Sequence, residues 1–329
     1  MDKIGTNGTK MPPDTLHCLS FQYYNLTLTL TPLDSCLQSL SARCDRSGAW
    51  RLASHLATLA ITGVALTWAR GTAWVVPALL AHGAVLVFLF APLHETIYRT
   101  AFKSRIVNDA VARFCGVLLL LPPAYFRYFH LRHHRDTQRA GHDPELISPK
   151  PSTPAAYFIY LSGLPYWRER VVTLLRHSFG RIDEAFIPRN HQPRVVREAR
   201  YYLTVYLVIA GASLLLESDA IVTYWVLPIL IGQPLLRAFL LAEHTDCPLV
   251  PNMLENSRTT TSNPVVRWLS WNMPFHTAHH AYPGVPFHRL AILDRELGDD
   301  VRVRARSYLA THREIFNRLR LNPTMRREL

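Results

Sequence analysis

Residues 73–93 read AWVVPALLAHGAVLVFLFAPL, and His94-Glu95 follows at once. The run carries no charged side chain. It approaches the length needed to cross about 30 Å of hydrocarbon at 1.5 Å per residue, so it reads as a transmembrane helix. Upstream, 52–69 (LASHLATLAITGVALTWA) is a similar run, separated from it only by Arg70-Gly71-Thr72, which makes a hairpin. Downstream, 201–217 (YYLTVYLVIAGASLLLE) and 220–242 (AIVTYWVLPILIGQPLLRAFLLA) make another, joined by Ser218-Asp219. Helices satisfy their own backbone in lipid, which is why such runs are read as spans. The expected fold is an all-α membrane protein with four transmembrane helices in two hairpins and a cytoplasmic helical cap.

Charge sets the expected orientation. A net charge of +12 beside a mean hydropathy of +0.03 implies that charged and apolar residues are segregated along the chain. Seventeen Lys or Arg lie between His94 and Arg200 and twelve after Thr245, whereas the tight hairpins contribute only Arg70. The positive-inside rule then puts both termini and the 94–200 segment in the cytoplasm. A bacterial inner membrane and an endoplasmic reticulum membrane fit equally. Three regions are expected: a polar, loosely ordered cytoplasmic segment at 1–50 with a short helix near 34–48, a membrane and metal-binding domain at 51–288, and a basic helical tail at 289–329 with a helix near 297–320. No charged n-region precedes an apolar core, so no signal peptide is read. Asn7 and Asn25 match the glycosylation pattern but read as unmodified in a cytosolic tail. The five cysteines have no C-x-x-C spacing and read as reduced thiols. Gly116–Pro123 is apolar, but Asn108, Asp109, Arg113 and Pro122-Pro123 interrupt the 106–129 stretch, which reads as lying in or dipping into the interface. Aromatics among arginines at 151–200 (Tyr157, Tyr166, Trp167, Arg168, Arg170) read as a membrane surface rather than a nucleic-acid site.

The chemistry lies in a repeated pentapeptide. His130-Leu131-Arg132-His133-His134 recurs as His276-Thr277-Ala278-His279-His280, each H-x-x-H-H. On a helix, positions i, i+3 and i+4 share a face, so each presents three imidazoles to one point. Imidazole suits iron, zinc, copper and nickel, and six such nitrogens exceed what one four-coordinate zinc uses. His94 and His244 stand at the cytoplasmic ends of the second and fourth spans. Eight histidines (His94, His130, His133, His134, His244, His276, His279, His280) can therefore meet in one layer at the membrane face. His55 and His82 fall inside spans and read as helix-packing residues. His142 and His288, eight residues past their boxes, read as non-ligands. Glu95, Asp143, Glu243 and Asn272 are candidates to orient the imidazoles or, equally, to cap helices. Arg237 either snorkels to the cytoplasmic face or meets a polar cavity.

The arrangement closely resembles the integral-membrane fatty acid desaturase and hydroxylase superfamily from about Leu52 to His288. The carriers are His94-Glu95 after a span, FRYFHLRHH (126–134), HDPEL (142–146), AEH (242–244) and WNMPFHTAHHAYPGVPFH (271–288). The resemblance implies a non-haem diiron oxygenase that reduces O2 with two electrons and removes hydrogens from an unactivated alkyl chain. It makes the eight histidines the ligands of two iron ions. His276, rather than Gln, opens the third box, which disfavours the front-end desaturases. The implied reaction is introduction of a double bond into a fatty acyl chain of a lipid. The alternatives are hydroxylation or ketolation of an alkane, sterol or carotenoid, and a catalytically impaired relative.

One departure bears on that last alternative. The family's first box has a second histidine four residues after the first, and here Tyr98 holds that place in His94-Glu95-Thr96-Ile97-Tyr98. Three readings stand: a substituted phenolate ligand, as phenolate binds iron in catalase, a lost ligand with a weakly loaded metal, or a tyrosine that packs beside the site. The same substitution spoils an H-E-x-x-H metalloprotease reading, which needs that histidine and leaves both H-x-x-H-H clusters unexplained. No H-P-G-G haem signature, G-x-G-x-x-G or cluster-binding cysteine set occurs, so electrons must come from a separate ferredoxin, rubredoxin or cytochrome b5.

Overall fold

The computed structural model describes residues 37–148 and 150–321. The expectations for Asn7, Asn25, Cys18 and Cys36 lie outside the described residues, as does the start of the short helix read near 34–48. Within that helix, 37–40 form one helical turn, and by Asp45 the chain has entered α1 (Asp45–Ala69). There follow α2 (Val75–Val87), α3 (Phe90–Tyr98), α4 (Arg105–Leu118), α5 (Pro123–Asp136), α6 (Pro154–Leu161), α7 (Leu164–Ser178), α8 (Gln192–Leu215) and α9 (Leu227–His244). The C-terminal part holds α10 (Pro264–Leu269), α11 (His276–Ala281), α12 (Leu290–Leu297) and α13 (Tyr308–Leu321). Among the described residues, strand is confined to a parallel pairing of β1 (Thr259–Thr260) with β2 (Arg304–Ala305). Cys44, Cys115 and Cys247 are free thiols.

Three helices are long and apolar enough to cross a membrane: Asp45–Ala69, Val75–Tyr98 and Val222–His244. The second joins α2 to α3, and the third joins a π-helical turn at Val222–Val226 to α9. They cover the expected spans at 52–69, 73–93 and 220–242. The count reaches four if the pair α4 and α5, bent by 99°, is one broken span. The expected span at 201–217 falls in α8, which has 24 residues yet is not among the three. Arg194, Arg197, Glu198 and Arg200 crowd its first half. Its second half is apolar and outward-facing, with Leu207 64% and Val208 65% exposed. Similar exposure occurs on α1 (Ile61, Trp68), on the π-helical turn (Val222) and on α9 (Leu230).

The interrupted 106–129 stretch is a sharp bend between α4 and α5. Leu120 takes a left-handed φ of 52°, and Pro122-Pro123 opens α5. Side chains of α8 and of the π-helical turn donate to α4 carbonyls at the bend. Tyr202 Oη donates to the Arg113 carbonyl (2.9 Å) and Tyr206 Oη to that of Val117 (2.9 Å). Trp225 Nε1 donates to that of Leu118 (2.8 Å). On the far side, Glu198 Oε2 accepts from the Ala124 N–H (2.6 Å).

α2 and α9 touch backbone to backbone through two glycines. A Cβ on Gly83 would stand 2.3 Å from the Pro228 carbonyl oxygen, and one on Gly232 2.3 Å from that of Gly83. Such small-residue crossings let membrane helices approach where lipid offers no hydrophobic drive between them. Gly83→Ala should therefore cost about 1–3 kcal/mol by overpacking. Thermal unfolding in detergent would read this as a lower midpoint, and an unchanged midpoint would show that the helices separate freely. His55 and His82 pack helices as read. His55 Nε2 donates to the Val85 carbonyl (2.9 Å) and His82 Nε2 to that of Tyr224 (3.0 Å).

The helix expected near 297–320 is broken. Gly298, at φ +48°, ends α12, the chain then pairs β2 with β1, and helix resumes only at Tyr308. α13 docks on α9 and α6. His312 Nε2 donates to the Ala238 carbonyl (2.9 Å), and its Nδ1 meets Tyr157 Oη (2.9 Å).

Candidate metal centre

Four helices deliver the histidines. His94 lies on α3, four residues before Tyr98. His130, His133 and His134 line one side of the second half of α5. His244 ends α9, and α11 consists of the second pentapeptide plus Ala281. All eight are between 0 and 7% exposed. The structure brings them together in two adjoining groups. One nitrogen from each of His94, His130, His134 and His279 lies within 4.8 Å of the others, as do those of His133, His244 and His280. His276 joins the second group, its Nε2 being 2.9 Å from His244 Nε2. Other close pairs are His130 Nε2 to His94 Nε2 (2.5 Å) and His133 Nε2 to His244 Nε2 (3.2 Å). Two nitrogens at right angles on one metal, each about 2.1 Å from it, stand about 3 Å apart, so these spacings suit shared ions.

The chemistry of the donors fits a metal as well. Among the described residues, both ring nitrogens of His134 and of His279 lack a hydrogen-bond partner, as does His280 Nε2. Buried polar groups left unpaired are costly, and cations would satisfy them. Burial, reinforced by neighbouring imidazoles, holds His276, His279 and His280 well below the usual 6.5. They are neutral at pH 7, the form that ligates.

The two groups differ in what stands behind them. In the second, three of the four histidines have a hydrogen-bond partner at Nδ1. His133 Nδ1 donates to Asp143 Oδ1 (2.9 Å), and His244 Nδ1 donates to the Asn256 carbonyl (3.1 Å). His280 Nδ1 meets Thr137 Oγ1 (3.2 Å), whereas His276 Nδ1 lies 3.3 Å from Glu243 Oε1 without a hydrogen bond. Such contacts fix the tautomer and leave Nε2 for the centre. In the first group, Nδ1 of His94, His130, His134 and His279 has no hydrogen-bond partner among the described residues. The buried Tyr98 ring packs against that group instead, with its centroid 5.3–5.6 Å from those of the same four imidazoles.

Of the four orienting candidates, Asp143 and Glu243 stand at imidazoles. The other two do not. Glu95 Oε2 accepts from Thr100 Oγ1 (2.7 Å) and from the Phe287 N–H (3.4 Å). Asn272 Nδ2 donates to the Phe287 carbonyl (3.1 Å). Both pin the turn after α11. His142 meets Arg132, His288 packs on Phe287, and neither belongs to a group. Arg237 stacks over Tyr160, with its guanidinium carbon 4.0 Å from the ring centroid. Sequence reasoning missed Thr137, the Asn256 carbonyl, and Gln138 and Lys150, which both donate to the His244 carbonyl (2.5 and 3.2 Å). Only Thr137 had a signal, one turn beyond His133.

The model of the family described as fatty acid desaturase matches residues 71–312. The chain is also 24% identical over 238 residues to the sn-1 oleoyl-lipid 12-desaturase of a Picosynechococcus species, an alignment that covers 65% of this chain. It spans 66% of that relative's length, just under two thirds.

Proposed function

The chain belongs to the fatty acid desaturase family, and from that premise we propose a membrane-bound, O2-dependent diiron oxidoreductase that introduces a double bond into a fatty acyl chain of a lipid. The observation that carries it is the meeting of eight buried histidines from four helices in two adjoining groups. His94, His130, His134 and His279 would hold one iron, and His133, His244, His276 and His280 the other. Two irons there supply the power to reduce O2 and to take hydrogen from an unactivated C–H bond. The protein's own part is to keep His276, His279 and His280 neutral, to orient His133, His244 and His280 through Asp143, Asn256 and Thr137, and to exclude water by burial. Removal of two hydrogens from adjacent carbons gives the alkene, whereas oxygen insertion gives an alcohol, the outcome of the hydroxylase alternative. The chain would cross the bilayer four times, α8 included, with both termini and the metal layer on the cytoplasmic side. The test is iron content of the purified protein together with mass spectrometry of lipids from cells expressing it with a matched donor. About two irons and a new unsaturated acyl chain are expected. A hydroxylated product would favour the alternative, and unchanged lipids with no bound iron would end the proposal.

Tyr98 and the bare Nδ1 atoms of the first group argue that this half holds iron weakly. Tyr98→His restores the imidazole at the family's position and should raise iron per chain after dialysis against a mild chelator. Equal, full loading in both proteins would reject a lost ligand.

Electrons would come from a separate ferredoxin, rubredoxin or cytochrome b5. Arg135 and Arg139, with side chains 46% and 65% exposed, lie just past the first histidine pentapeptide. An acidic carrier would be steered toward this face, and turnover should fall by about tenfold as salt is raised from low to high ionic strength. A flat salt profile would remove the steering.

A further inference from the structure

Between α7 and α9 lies a second set of buried polar groups, which the metal centre does not use. Gln233, 1% exposed on α9, has neither amide nitrogen nor amide oxygen partnered among the described residues. Its side chain presses on Gly163, the N-cap of α7, where a Cβ would come within 2.4 Å of Gln233 Cγ. One turn further along each helix stand Trp167 and Arg237. The Trp167 indole N–H and the Arg237 Nε are likewise unmatched among the described residues. Arg170, 7% exposed, pairs with Glu169 through a terminal nitrogen but leaves its Nε unmatched. The guanidinium carbons of Arg170 and Arg237 each lie 5.4 Å from the centroid of one ring, Tyr166. In this seam four buried N–H groups are unmatched against one unmatched acceptor, Gln233 Oε1, among the described residues.

An apolar cavity of about 320 Å³ adjoins them. Trp167 and Val171, which flank Arg170 on α7, line one wall, and Ile229 and Leu230, one turn from Gln233 on α9, line another. Donor excess next to an apolar cleft is the complement of an oxyanion on an alkyl chain. Guanidinium matches phosphate and carboxylate geometry, and donors buried beside lipid are costly when unpaired.

We propose that the α7–α9 seam binds an anionic lipid, with its phosphate or carboxylate held by Arg237, Gln233, Arg170 and the Trp167 indole and its acyl chain in the cavity. Arg237 stands seven residues, about 10 Å, from His244 along α9, and Ile229 and Leu230 lie farther away still. A chain seated there runs away from the histidines. This lipid is therefore an accessory one that ties α7 to α9, and the proposal stands apart from the oxidation reaction.

Native mass spectrometry of the full chain in detergent tests it, with phosphatidylglycerol, oleate and uncharged diacylglycerol as probes. The wild type should retain an anionic probe at least about tenfold better than diacylglycerol. Preference for phosphatidylglycerol assigns the phosphate, and preference for oleate the carboxylate. R237M/Q233L should remove that advantage while leaving iron content unchanged. Ala210, which lines the cavity, offers a second variant: Ala210→Trp should weaken long-chain probes and spare short-chain ones. Trp167→Phe keeps the ring and loses only the N–H. It should weaken anionic binding about threefold, and it decides the matter if the double variant does not fold. Equal retention of charged and uncharged probes, or variants that are folded and bind like wild type, would overturn the proposal and leave water as the partner of these donors. Because the readout is binding, failure of the oxidase reading would leave it untouched.

Discussion

His244→Ala should strip the protein of at least one iron and lower desaturation by more than about 100-fold, since loss of mere orienting groups already costs 10–100-fold. His244 is the hub of the second group, with its Nε2 within 3.2 Å of His133 Nε2 and 2.9 Å of His276 Nε2. No other nitrogen takes its place, because its backbone is fixed by Gln138 and Lys150 and its ring by the Asn256 carbonyl. Iron analysis, lipid profiling and circular dichroism on the same preparation separate loss of metal from loss of fold. A folded variant with full iron and undiminished product would show that this histidine is not a ligand, and the two-iron assignment would fall with it.

Asp143→Asn should weaken iron binding about 10–100-fold without touching a ligand. The carboxylate accepts from His133 Nδ1 (2.9 Å) and from the backbone N–H of Gln138 (2.8 Å) and of Glu145 (2.9 Å). Burial opposes its charge, but His133 and these two N–H groups more than offset that, so its pKa lies below the ordinary 3.8. For such a depressed carboxylate, the stabilisation is present above the unfolded value and lost as pH falls through the folded one. The stability gap between wild-type and Asp143→Asn apoprotein should therefore be constant near neutrality and close only in acid below the ordinary value. Competition titration with a chelator reads the affinity, and denaturant melts at several pH values read the gap. Identical iron affinity in the variant would make Asp143 a turn residue and nothing more.

What the sequence disclosed, it disclosed through periodicity. The spacing i, i+3, i+4 places three imidazoles on one helix face wherever the helix lies, and an apolar run announces a span regardless of its neighbours. Rotation about a helix axis is a different matter. Glu95 and Asn272 stand near the clustered histidines in sequence, yet both point to Phe287. Asp143 is ten residues from His133 and bonds to it. The Asn256 carbonyl carries no side-chain signature at all. The expected helix near 297–320 ran through Gly298, whereas the turn there depends on a partner strand more than forty residues upstream. α8 joins an apolar second half to a charged first half, from which Glu198 reaches the α4–α5 bend.

That bend has a bearing on biogenesis. The carbonyls at its tip are matched by Tyr202, Tyr206 and Trp225, and the first turn of α5 is held by Glu198. All four emerge from the ribosome well after the histidines at 130–134. During synthesis, the hook carrying those imidazoles must wait near the headgroups until the later helices arrive to clasp it. Assembly of the histidine cluster is thus a late event in maturation, coupled to completion of the helical bundle.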